Sequence, residues 1–261
     1  MSESFWSSSQ YKEWTSKLTP EIIKQEHNKN NNLFDEKETE AIFCHCINLL
    51  FGIGKRNSYP HTVICTSIIY FQRAYLKLSF TQLHPYLAIP TVLYLSSKTE
   101  EVIPMIKKIL NNYITELKYR HLPLLQWTSD DINQAECLLL NIFNFDIIIH
   151  HPFQTLDFYV EEMHLKEYTQ VSWTILNDIY YTSLPLLYPP YMLALTAIYM
   201  TSIYSQADIL QCLTDMDIDI QDIFEITAEI VKFYKNNSVL VDYDSQFADL
   251  ILRIDIHLEK K

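Results

Sequence analysis

The run Pro85-Tyr86-Leu87-Ala88-Ile89-Pro90-Thr91-Val92-Leu93-Tyr94-Leu95-Ser96-Ser97-Lys98 decides how the rest of the chain is read. It is apolar almost all round until Lys98 ends it, and Thr99-Glu100-Glu101 follow. A helix of that kind lies inside a bundle, with other helices around it. Pro85 suits a first helical turn, whose N–H groups have no partner in any case. Pro90 lies inside the pattern and is tolerable only if the regular helix begins close to it. A later stretch repeats this one. Placing Pro85-Tyr86-Leu87 over Pro190-Tyr191-Met192 pairs Thr91 with Thr196, Leu93 with Ile198, Tyr94 with Tyr199, Leu95 with Met200, Ser96 with Thr201 and Ser97 with Ser202. With a different offset, Asp131-Ile132-Asn133 overlays Asp219-Ile220-Gln221. Internal similarity of this kind reads as duplication, here of a bundle of about five helices.

Outward from these two helices the pattern stays helical. Trp6, Tyr11 and Trp14 recur at helical spacing in residues 1–18, and residues 28–33 read as a polar loop. Asp35 can cap a helix with Glu38 three residues later, and Ile42, Cys46, Leu49, Leu50 and Ile53 mark its apolar face. Further helices are expected from Pro60 to Leu78, from Pro104 to Leu117, and from Thr128-Ser129-Asp130-Asp131 to Phe143, where the acids suit the helix dipole. The segment from Asp146 to Pro152 reads as an apolar linker, with helices beyond it near 153–163, 168–182, 189–204, 207–214 and 220–236. No alternating strand run appears. The expected fold is all-α, with an N-terminal helix and polar loop over 1–33, a first bundle over 34–150, and a second bundle with a short C-terminal segment over 151–261.

Composition removes several function classes. The chain has 261 residues, 48% of them hydrophobic, enough for a large core. Its 2 glycines, Gly52 and Gly54, fall in one short stretch with no third partner. A dinucleotide-binding fingerprint, a P-loop or a kinase catalytic domain needs more glycines than that. The formal charge is −12, and Lys107-Lys108 and Lys260-Lys261 are the longest basic runs. Direct nucleic-acid binding is therefore disfavoured, and a basic protein partner fits better. The N-terminus lacks a signal-peptide pattern and no stretch reads as a membrane span, so a cytosolic or nuclear chain with reduced thiols is expected. Cys44-His45-Cys46 falls inside a helical pattern, where adjacent residues diverge and cannot converge on a tetrahedral metal. Neither a metal nor a cofactor is expected.

Two charges break the apolar pattern. Glu136 projects among Ile132, Ala135, Leu139, Leu140 and Phe143, and Lys98 ends the buried helix. Charge on an apolar face is expensive unless paired. In the repeat, Lys98 overlays Ile203 and Glu136 overlays Phe224, so the second copy keeps the scaffold and drops both charges. Either the first repeat carries an interaction site here, or the two side chains form an internal salt bridge with Lys98 reaching to water.

Ser97-Lys98-Thr99-Glu100-Glu101 resembles the Ser-Lys-x-Glu-Glu element of the cyclin box, and Glu136 stands where that family has its second signature acid. Phe5-Trp6 with Tyr11 and Trp14, Tyr70-Phe71-Gln72-Arg73, His151-Pro152-Phe153, Asn177-Asp178-Ile179-Tyr180 and Leu186-Leu187-Tyr188-Pro189-Pro190 resemble the cyclin C type within the family. The resemblance implies two cyclin boxes and a non-catalytic regulatory subunit. Its partner would be a cyclin-dependent kinase of the nuclear Mediator kinase module, which regulates transcription, together with other subunits of that module. Lys98 and Glu136 would hold the kinase helix that carries a catalytic-site Glu, with Glu100 and Glu101 near basic kinase residues. Trp6, Tyr11 and Trp14 would add a kinase-specific contact, or else pack back on the chain's own box. Trp6, Asn177 and Asp178 resemble residues of a groove for an activating Mediator subunit. Residues 102–125 depart from the family, and no Met-Arg-Ala-Ile-Leu patch or Pro/Ser-rich tail appears.

Three rivals remain. A terpenoid-synthase-like enzyme would need converging carboxylates for magnesium. Asp130-Asp131 lacks the third acid, and Asn177-Asp178 is followed by Tyr181 where Ser or Thr is wanted. A promoter-binding factor of the same two-repeat fold would need a basic surface and usually a zinc ribbon. A transcriptional cyclin of the H, K, L or T type, with another kinase, is the closest alternative.

Overall fold

The computed structural model describes residues 4–27, 29, 33–207, 209, 213–214, 216, 218–237 and 250–256. Among them every regular element is helical. A 3-10 turn (Phe5–Ser7) and a π-helical turn (Gln10–Thr15) come first. Then follow α1 (Pro20–His27), α2 (Glu36–Arg56), α3 (His61–Tyr75), α4 (Pro85–Thr99), α5 (Ile106–Tyr119) and α6 (Ser129–Ile142). After these come α7 (Phe153–Glu162), α8 (Thr169–Ile179), the short α9 (Leu184–Leu187), α10 (Pro190–Ser205) and α11 (Ile220–Asn237). Residues 250–256 are also helical. The helix expected over 207–214 falls largely outside the described residues.

The chain divides into two compact units. One comprises Thr19–Ile149 with the C-terminal segment that holds residues 250–256. The other comprises the N-terminal segment up to Leu18 with the stretch from His150 through α11. Each unit thus takes one end of the sequence, which no local pattern signals.

In the Thr19–Ile149 unit, α4 is the central helix and packs against α2, α3, α5 and α6. Tyr86, Ala88, Ile89, Val92 and Leu93 are fully buried. Burial of each large apolar side chain stabilises by about 1.5–3 kcal/mol. The helix starts at Pro85, so Pro90 sits in its second turn rather than near its start, and the Tyr86 carbonyl lacks its helical donor. The capping box at α2 forms as expected, with the Glu38 N–H donating to Asp35 Oδ1 at 2.7 Å and the Asp35 N–H to Glu38 Oε2 at 3.0 Å. Residues 250–256 bury Leu250, Ile251 and Ile254 in this unit. Arg253 Nη2 donates to Glu38 Oε1 at 2.6 Å, and Asp255 Oδ1 lies 3.4 Å from His84 Nε2.

The two glycines are explained by helix approach. A Cβ on Gly52 would lie 2.3 Å from Glu116 Oε1 of α5, and one on Gly54 would lie 2.5 Å from Ile64 Cγ1 of α3. Cys44, Cys46 and Cys65 are core thiols; burial pushes Cys44 up to about 12 and raises the other two. His45 shares a hydrogen bond with the Tyr86 hydroxyl at 3.1 Å. Cys212 lies outside the described residues. Among the described residues no group of three or more His, Cys, Asp or Glu could hold a metal ion, and no helix is long and apolar enough to cross a membrane.

In the other unit α10 takes the central place and packs against α7, α8 and α11. The duplication extends to side-chain hydrogen bonds. Thr91 Oγ1 donates to the Leu87 carbonyl at 2.7 Å, and Thr196 Oγ1 to the Met192 carbonyl at 2.9 Å. Ser97 Oγ donates to the Tyr94 carbonyl at 2.7 Å, and Ser202 Oγ to the Tyr199 carbonyl at 2.8 Å. Back-bonding of this kind satisfies a hydroxyl inside an apolar helix.

The N-terminal segment is helical but not α-helical. The Ser16 N–H reaches back five residues to the Tyr11 carbonyl at 3.1 Å, and the hydroxyls of Ser7 and Ser8 donate to the Ser4 and Phe5 carbonyls at 2.9 and 2.6 Å. Serines that occupy nearby carbonyls this way favour tight turns over a regular helix.

Candidate functional site

The site is built on the end of α4. His84 caps that helix, its Nδ1 accepting from the Tyr86 N–H at 3.1 Å. Burial holds the imidazole neutral by pushing it down to about 4, in spite of Asp255 nearby. Lys98 occupies the last turn, where a cation suits the helix dipole. Its Nζ donates to both carboxylate oxygens of Glu136 on α6, at 2.7 and 2.8 Å, and lies 4.1 Å from the centre of the Tyr94 ring. Burial alone would lower the amine; the hydrogen bonds to Glu136 and Tyr94 and the Glu136 charge outweigh it and raise it. The ammonium stays charged. Glu136 is 8% exposed, while the Lys98 side chain is 40% exposed. The internal salt bridge therefore exists, and it lies at the surface with its cation half in water. An ion pair so placed contributes about 1 kcal/mol or less to folding.

The acids after Lys98 differ from each other. Glu100 ends α4 half-buried, and its Oε1 accepts from Thr66 Oγ1 of α3 at 2.7 Å. It is therefore engaged inward. Glu101 is exposed, at φ 56° in the left-handed region. Beyond it, Ile103 and Met105 are 86% and 61% exposed, and after α6 Phe145 and Ile148 are 66% and 56% exposed. These large apolar side chains are left in water within about twelve residues of Lys98 or Glu136 in the sequence. The sequence alone attaches no role to residues 102–125; Ile103 and Met105 are legible there only as apolar residues in a loop.

The repeat shows what is special here. On α10 and α11 the positions of Tyr94 and Glu136 are held by Tyr199 and Phe224, whose rings meet at 5.5 Å. Ile203, at the Lys98 position, is exposed. The same scaffold thus presents an apolar cluster in place of the ion pair.

The N-terminal aromatics divide. Trp6 is 49% exposed and meets Phe5, Tyr11 and Tyr191 with ring centres at 5.2, 4.7 and 6.0 Å. Tyr11 is partly exposed. Trp14 is buried and serves the inside of its own unit. Asn177 and Asp178 close α8 and are half-buried. Asp178 Oδ2 accepts from the Tyr234 hydroxyl at 2.8 Å; burial raises its carboxyl, partly offset by that bond.

Comparison with known proteins then bears on the family. The profile described as "Cyclin, N-terminal domain" matches residues 17–148, half of the chain. The chain belongs to the cyclin family. Among its relatives, Cyclin-C of Rattus norvegicus is 29% identical over 241 residues, covering 90% of this cyclin and 84% of the relative. Cyclin-C1-1 of Arabidopsis thaliana is 29% identical over 262 residues, covering 97% of this cyclin and 100% of the relative. In structure, a chain of the CAK complex from Chaetomium thermophilum bound to ATP-gamma-S covers 96% of this cyclin and 88% of its own length, with a TM-score of 0.74 at 16% identity. A chain of the yeast RNA Pol II CTD kinase CTDK-1 complex covers 86% of this cyclin and 74% of its own length, with a TM-score of 0.70 at 18% identity. At those identities the likeness is one of fold.

Proposed function

We propose that this cyclin is the non-catalytic regulatory subunit of a transcriptional cyclin-dependent kinase, bound and activated in the nucleus as part of a Mediator kinase module. The carrying observation is the Lys98–Glu136 pair at the surface, followed in the chain by the exposed Ile103 and Met105. Kinase activity needs a Lys–Glu ion pair between a strand and a mobile helix. A partner that binds only the inward position of that helix shifts the population to the active state. Lys98 supplies N–H donors and Glu136 an acceptor to the end of such a helix, and the exposed apolar residues supply area. The names of the relatives support the Cyclin-C type, and the structural neighbours come from complexes named for their kinases.

Trp6 and Tyr11 are the surface groups for a second kinase contact, with Glu101 free to meet basic kinase residues. Trp6, Asn177 and Asp178 are candidates for a groove that receives a further module subunit. Affinity capture of the cyclin from nuclear extract, followed by mass spectrometry, is the test. The expected catch is the kinase of the Mediator module, with activity lost in Glu136→Ala while the melting temperature changes by less than about 3 °C, since a half-exposed pair is worth about 1 kcal/mol or less. Recovery of a different kinase alone would overturn the subtype. Full activation by Glu136→Ala would overturn the site.

A further inference from the structure

The fold concentrates positive charge that the sequence scatters. α2 and α5 pack antiparallel along a seam. Arg120 Nη2 donates to the Asn48 carbonyl at 3.4 Å, Arg56 to Glu116, Asn112 Nδ2 to Asn57 Oδ1 at 2.9 Å, and Lys108 Nζ to the Asn57 carbonyl at 3.1 Å. From Cys46 to Asn57 and from Ile106 to His121 the only acid is Glu116. Lys108 and Arg120 share the α2 face of α5 with Asn112 and Glu116, at i, i+4 spacing, and Lys55 and Arg56 come from the end of α2; Lys107 and Lys118 project from the other side of α5. In a chain of net charge −12 this is a reversal of sign. Glu116 is 4% exposed and is shared by Arg56 and by Arg120 Nε, the latter at 2.7 Å, so its charge is spent inside the seam. Of the seam's lysines, Lys55 and Lys108 form no ion pair among the described residues. Arg56 gives its Nε to Glu116 and lies 5.2 Å from the centre of the exposed Tyr119 ring. Its terminal amino groups have no acceptor among the described residues. The guanidinium is thus fixed on its inner edge and open on its outer edge, a geometry that suits carboxylate or phosphoryl oxygens.

We propose that the α2–α5 seam is a docking strip for an acidic segment of another protein. The reading borrows no residue of the Lys98–Glu136 site and does not depend on it. From Lys108 to Arg120 the seam is about 18 Å long, the span of about five extended residues. Such a segment would set side-chain carboxylates or phosphoryl groups against Arg56, Lys55 and Lys108, and its backbone against the amide of Asn112. A polynucleotide would bring the same anions, but the rest of this acidic surface would repel its length.

The test measures fluorescence anisotropy of the full chain with labelled hexaglutamate, with a hexapeptide carrying two phosphoserines, and with a 12-nucleotide single-stranded DNA. Lys55→Glu/Lys108→Glu reverses two exposed charges of the seam that form no described ion pair, and Lys107→Glu/Lys118→Glu, on the other side of α5, is the control. The expected result is that at least one acidic peptide binds, that the seam reversal weakens it about tenfold, as two exposed ion pairs predict, and that the control reversal does not. A thermal melt reports whether each variant is folded. The strip is overturned if neither peptide binds, if both reversals act alike, or if the DNA binds more tightly than the peptides. Should the seam reversal lower the melting temperature, the single Lys55→Glu protein repeats the measurement: weakened peptide binding supports the strip, and unchanged binding overturns it.

Discussion

Replacing Gly52 by Ala sets two effects of opposite sign against each other. In the middle of an ordinary helix the change stabilises by about 0.5–1 kcal/mol, because Gly has more backbone freedom to lose. Here the new methyl would lie 2.3 Å from Oε1 and 2.7 Å from Cδ of Glu116. That carboxylate cannot swing aside cheaply: it is 4% exposed and held by Arg56 and Arg120. Overpacking costs about 1–3 kcal/mol, and displacing a buried charge from its partners costs about 3–5 kcal/mol when complete. With partial displacement and the helix gain subtracted, the net loss is about 2–4 kcal/mol. For a chain of this size that lowers the melting temperature by roughly 5–15 °C. Differential scanning calorimetry of wild type, Gly52→Ala, Glu116→Ala and the double variant gives the answer. The double variant should lose less than the sum of the single ones, since removing the carboxylate removes the clash. If Gly52→Ala instead melts higher than wild type, the account of the α2–α5 approach is wrong.

Acid should act through His84. Its folded value is about 4 against about 6.5 unfolded. Between those values the unfolded chain takes a proton that the folded chain refuses. Above pH 6.5 both states hold a neutral imidazole and the fold has its full stability; as pH falls towards 4 the unfolded chain gains the proton, costing up to about 3 kcal/mol. Burial lowers His27 to about 4 as well, so denaturant melts across that range should show the slope and His84→Asn should remove only about half of it. Trp14→Ala should cost about 3–5 kcal/mol as a core truncation, while Trp6→Ala should leave the melt nearly unchanged and reduce kinase recovery in the capture experiment. Tyr234→Phe should raise the Asp178 carboxyl further, visible by NMR titration, and cost about 1.5–3 kcal/mol as a lost bond to a charged group.

The two-bundle fold was legible because α4 and α10 must be apolar all round, and such helices stand out without any knowledge of their neighbours. Capping at Asp35 was legible because it acts within four residues; at Thr128 only the dipole preference of the acids was expected, and the structure adds a capping box with Asp131. Lys98 and Glu136 were found as charges on apolar faces, and the structure joins them. What escaped depends on distance along the chain. That Glu100 turns inward rests on Thr66, and that Trp14 is buried depends on its own unit closing over it. α1 was missed although Thr19 accepts from the Ile22 N–H at 3.4 Å and Pro20 opens the helix, because its single buried residue, Ile23, gives almost no period. The basic seam was invisible because its lysines and arginines come from two helices far apart in the sequence.

The docking of residues 250–256 against α2 and His84 has a temporal side. A ribosome releases the central helices of the Thr19–Ile149 bundle early, yet the piece that covers Phe34 and brings Asp255 to His84 emerges only after the whole of the other unit. At roughly 5–20 residues per second, the nascent bundle spends seconds with an oily notch open to chaperones. A clone trimmed before Leu250 would carry that notch permanently, so poor recovery of such a fragment would speak of a missing lid and not of a faulty bundle.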